Sequence, residues 1–328
     1  MQNYRNRWRA VLNPDMYHGW GKTRNFFEGW YYKIVDPTEQ QAFAVIPGIS
    51  YDREGSSHAF IQVMDGKRKT ATYHNFSAAD FNPAADRFYL RLGDNEFSDR
   101  HLRLNLPELQ GEISFTDTIP WPKMLGAPGV MGWYSFVPFM ECYHGVVSMH
   151  HRLAGSMKIY EREEDFTGGI GYVEKDWGRS FPEAWIWLQT NHFAHTSPVS
   201  LMVSVAKIPW LGTSFVGYLV GFYFAGKLYR FATYTGAKRK TTTESNTVLM
   251  SFKDARYRLE IRGHQQPGTD LVSPLTGEMR GKVNESLEAV AEIEFYDRGQ
   301  LIYSGTGRNA GMEIGGNHSV LLSPKWVR

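Results

Sequence analysis

The stretch Arg256-Tyr257-Arg258-Leu259-Glu260-Ile261-Arg262 alternates polar and apolar residues without a break. Tyr257, Leu259 and Ile261 share one side, and Arg258 and Glu260 share the other. That period of two belongs to a half-buried strand. The same alternation recurs in 87–92 (Phe88, Leu90, Leu92), in 101–106 (Leu102, Leu104, Leu106) and in 200–206 (Leu201, Val203, Val205). It returns at Ala289, Ala291, Ile293 and Phe295. No segment carries a long, capped pattern of period 3.6. Short helices are expected at most near 77–81 or 180–184.

Composition agrees with an all-β reading. Among 328 residues, 15% are aromatic and 32 are Gly, residue types that favour strands, turns and bulges. The balance of 42% apolar to 21% charged residues excludes wholesale disorder, collagen and coiled coil. A formal charge of +2 gives no basic excess, so no nucleic-acid partner is expected. The single cysteine, Cys142, rules out an intrachain disulfide and suits a reducing compartment. Arg5, Arg7 and Arg9 precede no apolar run, so the first ten residues read as neither a secretory signal nor a transit peptide. A cytoplasmic location follows, with peripheral membrane contact as an extension. The uncharged stretch 208–226 contains Pro209, Gly212, Gly217 and Gly221. It reads as a turn over 209–214 and a strand over 215–224 rather than as a membrane span.

The chain repeats itself. Strands are expected at 28–35, 42–49, 59–66, 70–76 and 87–92. A second series in the same order falls at 184–193, 200–208, 217–224, 228–234, 247–252 and 256–262. Self-similarity over about 150 residues predicts two tandem antiparallel β-barrel or sandwich domains, 1–182 and 183–328, with the boundary near 178–185. Two segments interrupt the pattern. Residues 118–140 are rich in Pro, Gly and large apolar residues, Trp133 among them, and 124–140 carry no charge. Such a loop is a lid over a cavity or a packed connection. Residues 263–285 are polar and read as a surface excursion.

The densest polar-aromatic segment is 169–195. Glu174, Lys175, Asp176 and Arg179 lie beside Trp177, Phe181, Trp185 and Trp187. Charges among aromatics are costly to desolvate unless paired. They form either a buried ionic network or a pocket wall with a carboxylate tuned to deliver a proton. Trp185, Trp187, Gln189 and Asn191 fall on one strand face, apolar in body and polar at the tips, as a cavity wall requires. In 141–151, His144, Ser148 and His150 are expected on one face, with Tyr143 and His151 on the other. This spacing is too loose for a zinc site, so no metal is expected. There is no Gly-x-Ser-x-Gly elbow, and 168–171 lacks the Lys of a phosphate loop. Cys142 has no identifiable basic partner.

Phe26-Phe27-Glu28-Gly29-Trp30-Tyr31, Glu174-Lys175-Asp176-Trp177-Gly178, Phe181-Pro182, Trp185, Trp187, Gln189 and Met312-Glu313-Ile314-Gly315-Gly316 resemble, in order, the tocopherol cyclase family. The resemblance implies two lipocalin-like barrels, related to carotenoid hydratase-like proteins. It also implies cyclisation of a prenylated benzoquinol or related terpenoid to a chromanol without a cofactor. The plant members carry Asn where this chain has Asp176, so the charge of the segment differs. They also have a transit peptide and a longer first domain.

That reaction needs an acid to protonate a trisubstituted alkene, aromatic faces to stabilise the tertiary cation, and a base for the phenol proton. The candidates for the acid are Glu28, Glu141, Glu174 and Asp176. Glu174 and Asp176 share a strand face, which can push their pKa values apart. Trp30 and Trp187 are expected at the cation, and Tyr143 or His144 at the phenol. Glu28, Trp30, Trp133, Trp177, Arg179, Trp185, Trp187, Gln189 and Asn191 complete the expected substrate contacts. The competing readings are salt bridges from Glu174 and Asp176 to Lys175 and Arg179, a hydratase, or a lipocalin-like carrier of a prenylated lipid. The sequence leaves the oligomeric state open.

Overall fold

A computed structural model describes residues 2–323. Apart from one α-helix, Gln2–Leu12, and short 3-10 turns, its regular elements are antiparallel strands. The chain divides into two units. One comprises Met1–Phe181 with Leu271–Lys282, the other Pro182–Asp270 with Val283–Arg328.

In the first unit, the sheet is entered in the middle. Phe26–Val35 pairs with Ala42–Tyr51 on one side and with Ile170–Gly178, the last strand of the series, on the other. Ile170–Gly178 then pairs with Cys142–Ile159, and pairing continues through Leu109–Ile119 to Phe81–Pro83. The second unit repeats the scheme. Its first strand, Ala184–Thr190, pairs with Ser200–Trp210 and with the final strand, Gln300–Gly316. First-to-last pairing curls a meander into a barrel and leaves few open edges. Each unit is thus a lipocalin-like antiparallel β-barrel with its own core. Trp30, Tyr32, Ile34, Val173 and Trp177 belong to the first core. Ile186, Leu188, Leu259, Ile261 and Met312 belong to the second. Trp30 stacks on Phe88 at 5.3 Å between centroids, the kind of aromatic pair that adds about 0.5–1.5 kcal/mol beyond area burial.

Several local expectations change. The stretch 208–226 forms a hairpin in which Ser200–Trp210 runs through Pro209 and the turn shrinks to Leu211-Gly212. Both turn residues have positive φ, +46° and +83°, the type I′ geometry that matches strand twist. No helix among the described residues is long and apolar enough to cross a membrane. The expected helix near 77–81 is a 3-10 turn, Ala78–Asp80, capped by the Ser77 hydroxyl accepting from the Ala79 amide. Residues 180–184 form no helix. The helix Gln2–Leu12 was not expected.

The 263–285 excursion is a hairpin of Thr269–Leu275 and Glu278–Asp297 whose tip belongs to the first unit. The Gln62 side chain brackets Val272, accepting from its amide at 2.8 Å and donating to its carbonyl at 3.3 Å. The Ser50 hydroxyl donates to the Gly277 carbonyl. Gly277 has φ +83°, and a Cβ there would lie 2.3 Å from the Tyr51 carbonyl oxygen. Gly277→Ala is therefore expected to destabilise the protein by about 1–3 kcal/mol. Urea denaturation of the purified variant checks this.

Candidate functional site

Strand register sorts the charged residues of the first unit onto two faces. Tyr32 pairs with Val173, Trp30 with Lys175 and Glu28 with Trp177, so these six share the face that builds the barrel core. Glu174 lies directly across from Tyr31 and belongs, with Tyr172 and Asp176, to the opposite face.

On the core face, Lys175 and Glu28 form an ion pair with both side chains fully buried. The Lys175 ammonium also donates to the Met16 carbonyl at 2.6 Å. It sits 4.4 Å from the Trp30 ring centroid and 4.8 Å from that of Trp177. The Glu28 carboxylate accepts from the His18 amide at 3.0 and 2.9 Å and from the Gly19 amide at 3.1 Å. Burial alone would raise the Glu28 pKa, but Lys175 and His18 outweigh it and hold the carboxyl below its usual range. The same burial pulls Lys175 below the usual lysine value, and Glu28 draws it back. Burial first, then Lys175, lower His18 to about 4, so its ring is neutral. Its Nδ1 lies 3.2 Å from the Lys175 ammonium, which can only donate.

On the opposite face, Cys142–Ile159 brings His144 beside the two carboxylates, across from Asp176 in register. His144 Nδ1 is 2.9 Å from Asp176 Oδ1, and Nε2 is 3.5 Å from Glu174 Oε2. The Tyr172 hydroxyl donates to Glu174 Oε2. Burial would lower the His144 pKa, but Glu174 and Asp176 together override it and raise the value to about 9. The ring is therefore an imidazolium at neutral pH. Burial and the Glu174 charge hold the Tyr172 phenol well above the ordinary value, so it stays a donor. Chemically, the three groups could serve as a proton relay: Asp176 orients the ring, and Nε2 carries a proton at ion-pair distance from Glu174, without a hydrogen bond between them. The same three side chains each offer one ligand atom within 4.8 Å of the others, so they could also hold a metal ion.

The relay fixes a pH response. A folded-state value near 9 against an ordinary 6.5 makes the His144 charge stabilising, fully so below pH 6.5 and lost as pH rises through 9. The difference corresponds to roughly 3 kcal/mol. Stability measured by urea denaturation should fall by that order between those limits, and the fall should disappear in His144→Gln.

The other expected site residues fall in four places. Glu28, Trp30, Trp177 and Tyr143 are on the core side, with Tyr143 stacked on Trp177 at 5.4 Å and 7°. Trp30 is thus separated from Glu174 and Asp176 by the sheet, and Tyr143 from His144. Lys175 is likewise turned away from Glu174 and Asp176 and pairs with Glu28, so among the described residues the bridges of the competing reading to Lys175 do not form. Glu141 precedes the strand, and its carbonyl accepts the Arg179 amide at 2.8 Å. Trp133, half exposed, stacks on Tyr134 in the 3-10 turn Gly132–Phe136.

The fourth place is the second unit, where Trp185, Trp187 and Gln189 share a face as expected. That face points away from the unit's own core, which takes Ile186 and Leu188. Trp185 Nε1 donates to Glu313 Oε2 at 2.8 Å. Gln189 is fully buried and both its amide atoms lack a hydrogen-bond partner among the described residues. Asn191 lies just past the strand end at Thr190.

Ser148 does not share a face with His144. Register shifts between Val146 and Ser148 and between Ser148 and His151 turn its hydroxyl onto His151 Nδ1, at 2.9 Å. Burial lowers His150 to about 4 and His151 to about 3, leaving both rings neutral. Burial pushes the Cys142 thiol well up, which removes its nucleophilic form. Tyr31, Tyr172 and the fully buried Lys33, which pairs with Tyr172, were missed. The spacing of Tyr172 from Glu174 by two was the available signal.

Fold and cluster together define a double lipocalin-like barrel with a carboxylate–imidazolium–carboxylate cluster in its first unit, buried at His144 and Glu174 and half-buried at Asp176. A family model described as tocopherol cyclase-like matches residues 108–316, and the chain belongs to that family. A probable chloroplastic tocopherol cyclase from Oryza sativa subsp. japonica is 24% identical over 374 aligned residues, covering 94% of this chain and 79% of that protein. Among solved structures, CghA with Sch210972 superposes with a TM-score of 0.58 at 12% identity, covering 89% of this chain and 88% of the other. Kievitone hydratase from Nectria haematococca superposes with a TM-score of 0.51 at 10% identity, over 88% and 89% of the two chains. Both likenesses are of fold.

Proposed function

We propose that the protein is a cofactor-free cyclase that converts a prenylated benzoquinol, or a related terpenoid phenol, to a chromanol. The observation that carries this reading is the His144 imidazolium held between the buried Glu174 and the half-buried Asp176 on one strand face. Membership of the tocopherol cyclase-like family supports the substrate class.

In this reading, the His144 imidazolium gives its Nε2 proton to the Glu174 carboxylate, which delivers it to the less substituted alkene carbon. The tertiary cation forms beside the Tyr31 and Tyr172 rings, each aromatic face contributing about 0.5–2 kcal/mol. The phenol oxygen closes the ring, and its proton returns to the Glu174–His144 pair. Atoms balance as an isomerisation. A hydratase of the same fold would let water, rather than the phenol, capture the cation, and a carrier would need no stored proton.

Incubation of purified protein with a prenylated quinol tests this. Chromatography should show the isomeric chromanol, formed equally well after exhaustive chelation. A hydrated alcohol would favour the hydratase, unchanged bound quinol the carrier, and activity lost to chelator would make His144, Glu174 and Asp176 metal ligands instead.

A further inference from the structure

A second site lies on the other side of the strand that bears the relay. Helix Gln2–Leu12, residues 22–26 and residues 135–140 enclose a groove of about 680 Å³ in the first unit. That volume suits a small molecule. Its floor is apolar and buried, with Phe26 and Trp177 3% and 6% exposed. Its rim is aromatic and open. Tyr4 and Trp8, one helical turn apart, are 67% and 54% exposed, and Phe136 and Phe139 in the opposite wall are 43% and 46% exposed.

The charged residues of the groove are all of one sign. Arg7, Lys22, Arg24 and Arg179 line it, and no Asp or Glu does. Among the described residues, none of these four side chains makes an ion pair. Arg7 Nε donates to the Trp20 carbonyl at 2.6 Å, leaving its other donors for a ligand. Burial, and then the fields of Arg7 and Arg179, lower the Lys22 pKa, which shows three cations close together without a counter-charge. His18, the remaining titratable ring of the lining, is neutral at pH 7. An uncompensated basic cluster at the mouth of an aromatic groove has the complementarity of an anionic head joined to an apolar chain.

We propose that this groove binds a single-chain anionic amphiphile, a long-chain carboxylate or phosphate monoester. Its head lies against Arg7, Lys22 and Arg179, and its chain lies along Tyr4, Trp8, Phe136 and Phe139. The buried floor selects a free molecule over a bilayer surface, because a flat headgroup layer reaches the rim and not Phe26 or Trp177. The site is distinct from the Glu174–His144–Asp176 cluster and does not depend on the activity proposed for it.

Calorimetric titration below the critical micelle concentration tests the proposal on the full chain. Dodecanoate and dodecyl phosphate should each bind one to one, and dodecyltrimethylammonium, with the same chain, should bind at least about tenfold more weakly. Lys22→Glu should weaken dodecanoate by about tenfold or more, the scale of one charge-assisted hydrogen bond, and Lys22→Arg should retain it. Lys22 lies on the surface, and circular dichroism of both variants verifies the fold. Binding that ignores head charge, equal affinity in Lys22→Glu, no binding of the free amphiphiles, or binding only to phosphatidylglycerol vesicles would overturn the proposal.

Discussion

Lys175→Ala is expected to destabilise the protein by about 3–5 kcal/mol, because it strands a buried carboxylate. Glu28 and Lys175 are each fully buried and face one another inside the first barrel. Removing the ammonium leaves Glu28 with amide donors from His18 and Gly19 in place of its cation, and burial still opposes charging of the His18 ring, although the Lys175 field that also lowers it is gone. The Trp30 and Trp177 rings also lose the cation between them. Urea denaturation of Lys175→Ala, Glu28→Gln and the double variant Lys175→Met/Glu28→Gln measures the effect. The double variant should recover much of the loss, since replacing a buried pair costs far less than breaking it. A single variant destabilised by less than about 1 kcal/mol, the worth of an exposed pair, would show that the pair is solvated.

Glu174→Gln is expected to reduce turnover by at least about a hundredfold, the lower bound for loss of a general acid, and to lose part of the roughly 3 kcal/mol that the His144 charge contributes, because Glu174 is the larger of the two charges that raise it. Glutamine keeps the shape of Glu174 and can still accept the Tyr172 hydroxyl, but it cannot carry the proton. The variant also removes one of the two charges that raise His144, so the histidine should titrate below about 9. Turnover and NMR titration of the imidazole read the two effects separately. A variant that folds and turns over normally would remove Glu174 from the chemistry.

Period-two alternation made the all-β fold legible wherever one strand face meets solvent, as in Tyr257–His264. It fades in Phe26–Val35, where nine of ten residues are buried and both faces need large side chains. Glu174 and Asp176 could be placed on one face by counting. The register of a neighbouring strand is not written in either strand alone, so His144 could not be singled out as their partner over Tyr143. The bulges after Val146 shifted Ser148 for the same reason. Helix Gln2–Leu12 escaped because only Asn6 and Ala10 are buried, while the stripe at every fourth residue, Tyr4, Trp8 and Leu12, faces out. The 263–285 hairpin read as a polar surface excursion because its ties to the first unit are side-chain and backbone hydrogen bonds, which leave no hydrophobic pattern.

The most direct test of the proton-initiated cyclisation is turnover of a prenylated quinol in D2O with mass and NMR analysis of the product. Protonation of the alkene by the Glu174–His144 pair predicts a chromanol with one deuterium, on the ring methylene next to the newly formed quaternary carbon. A chromanol with no deuterium at that carbon, or no chromanol at all, would contradict it.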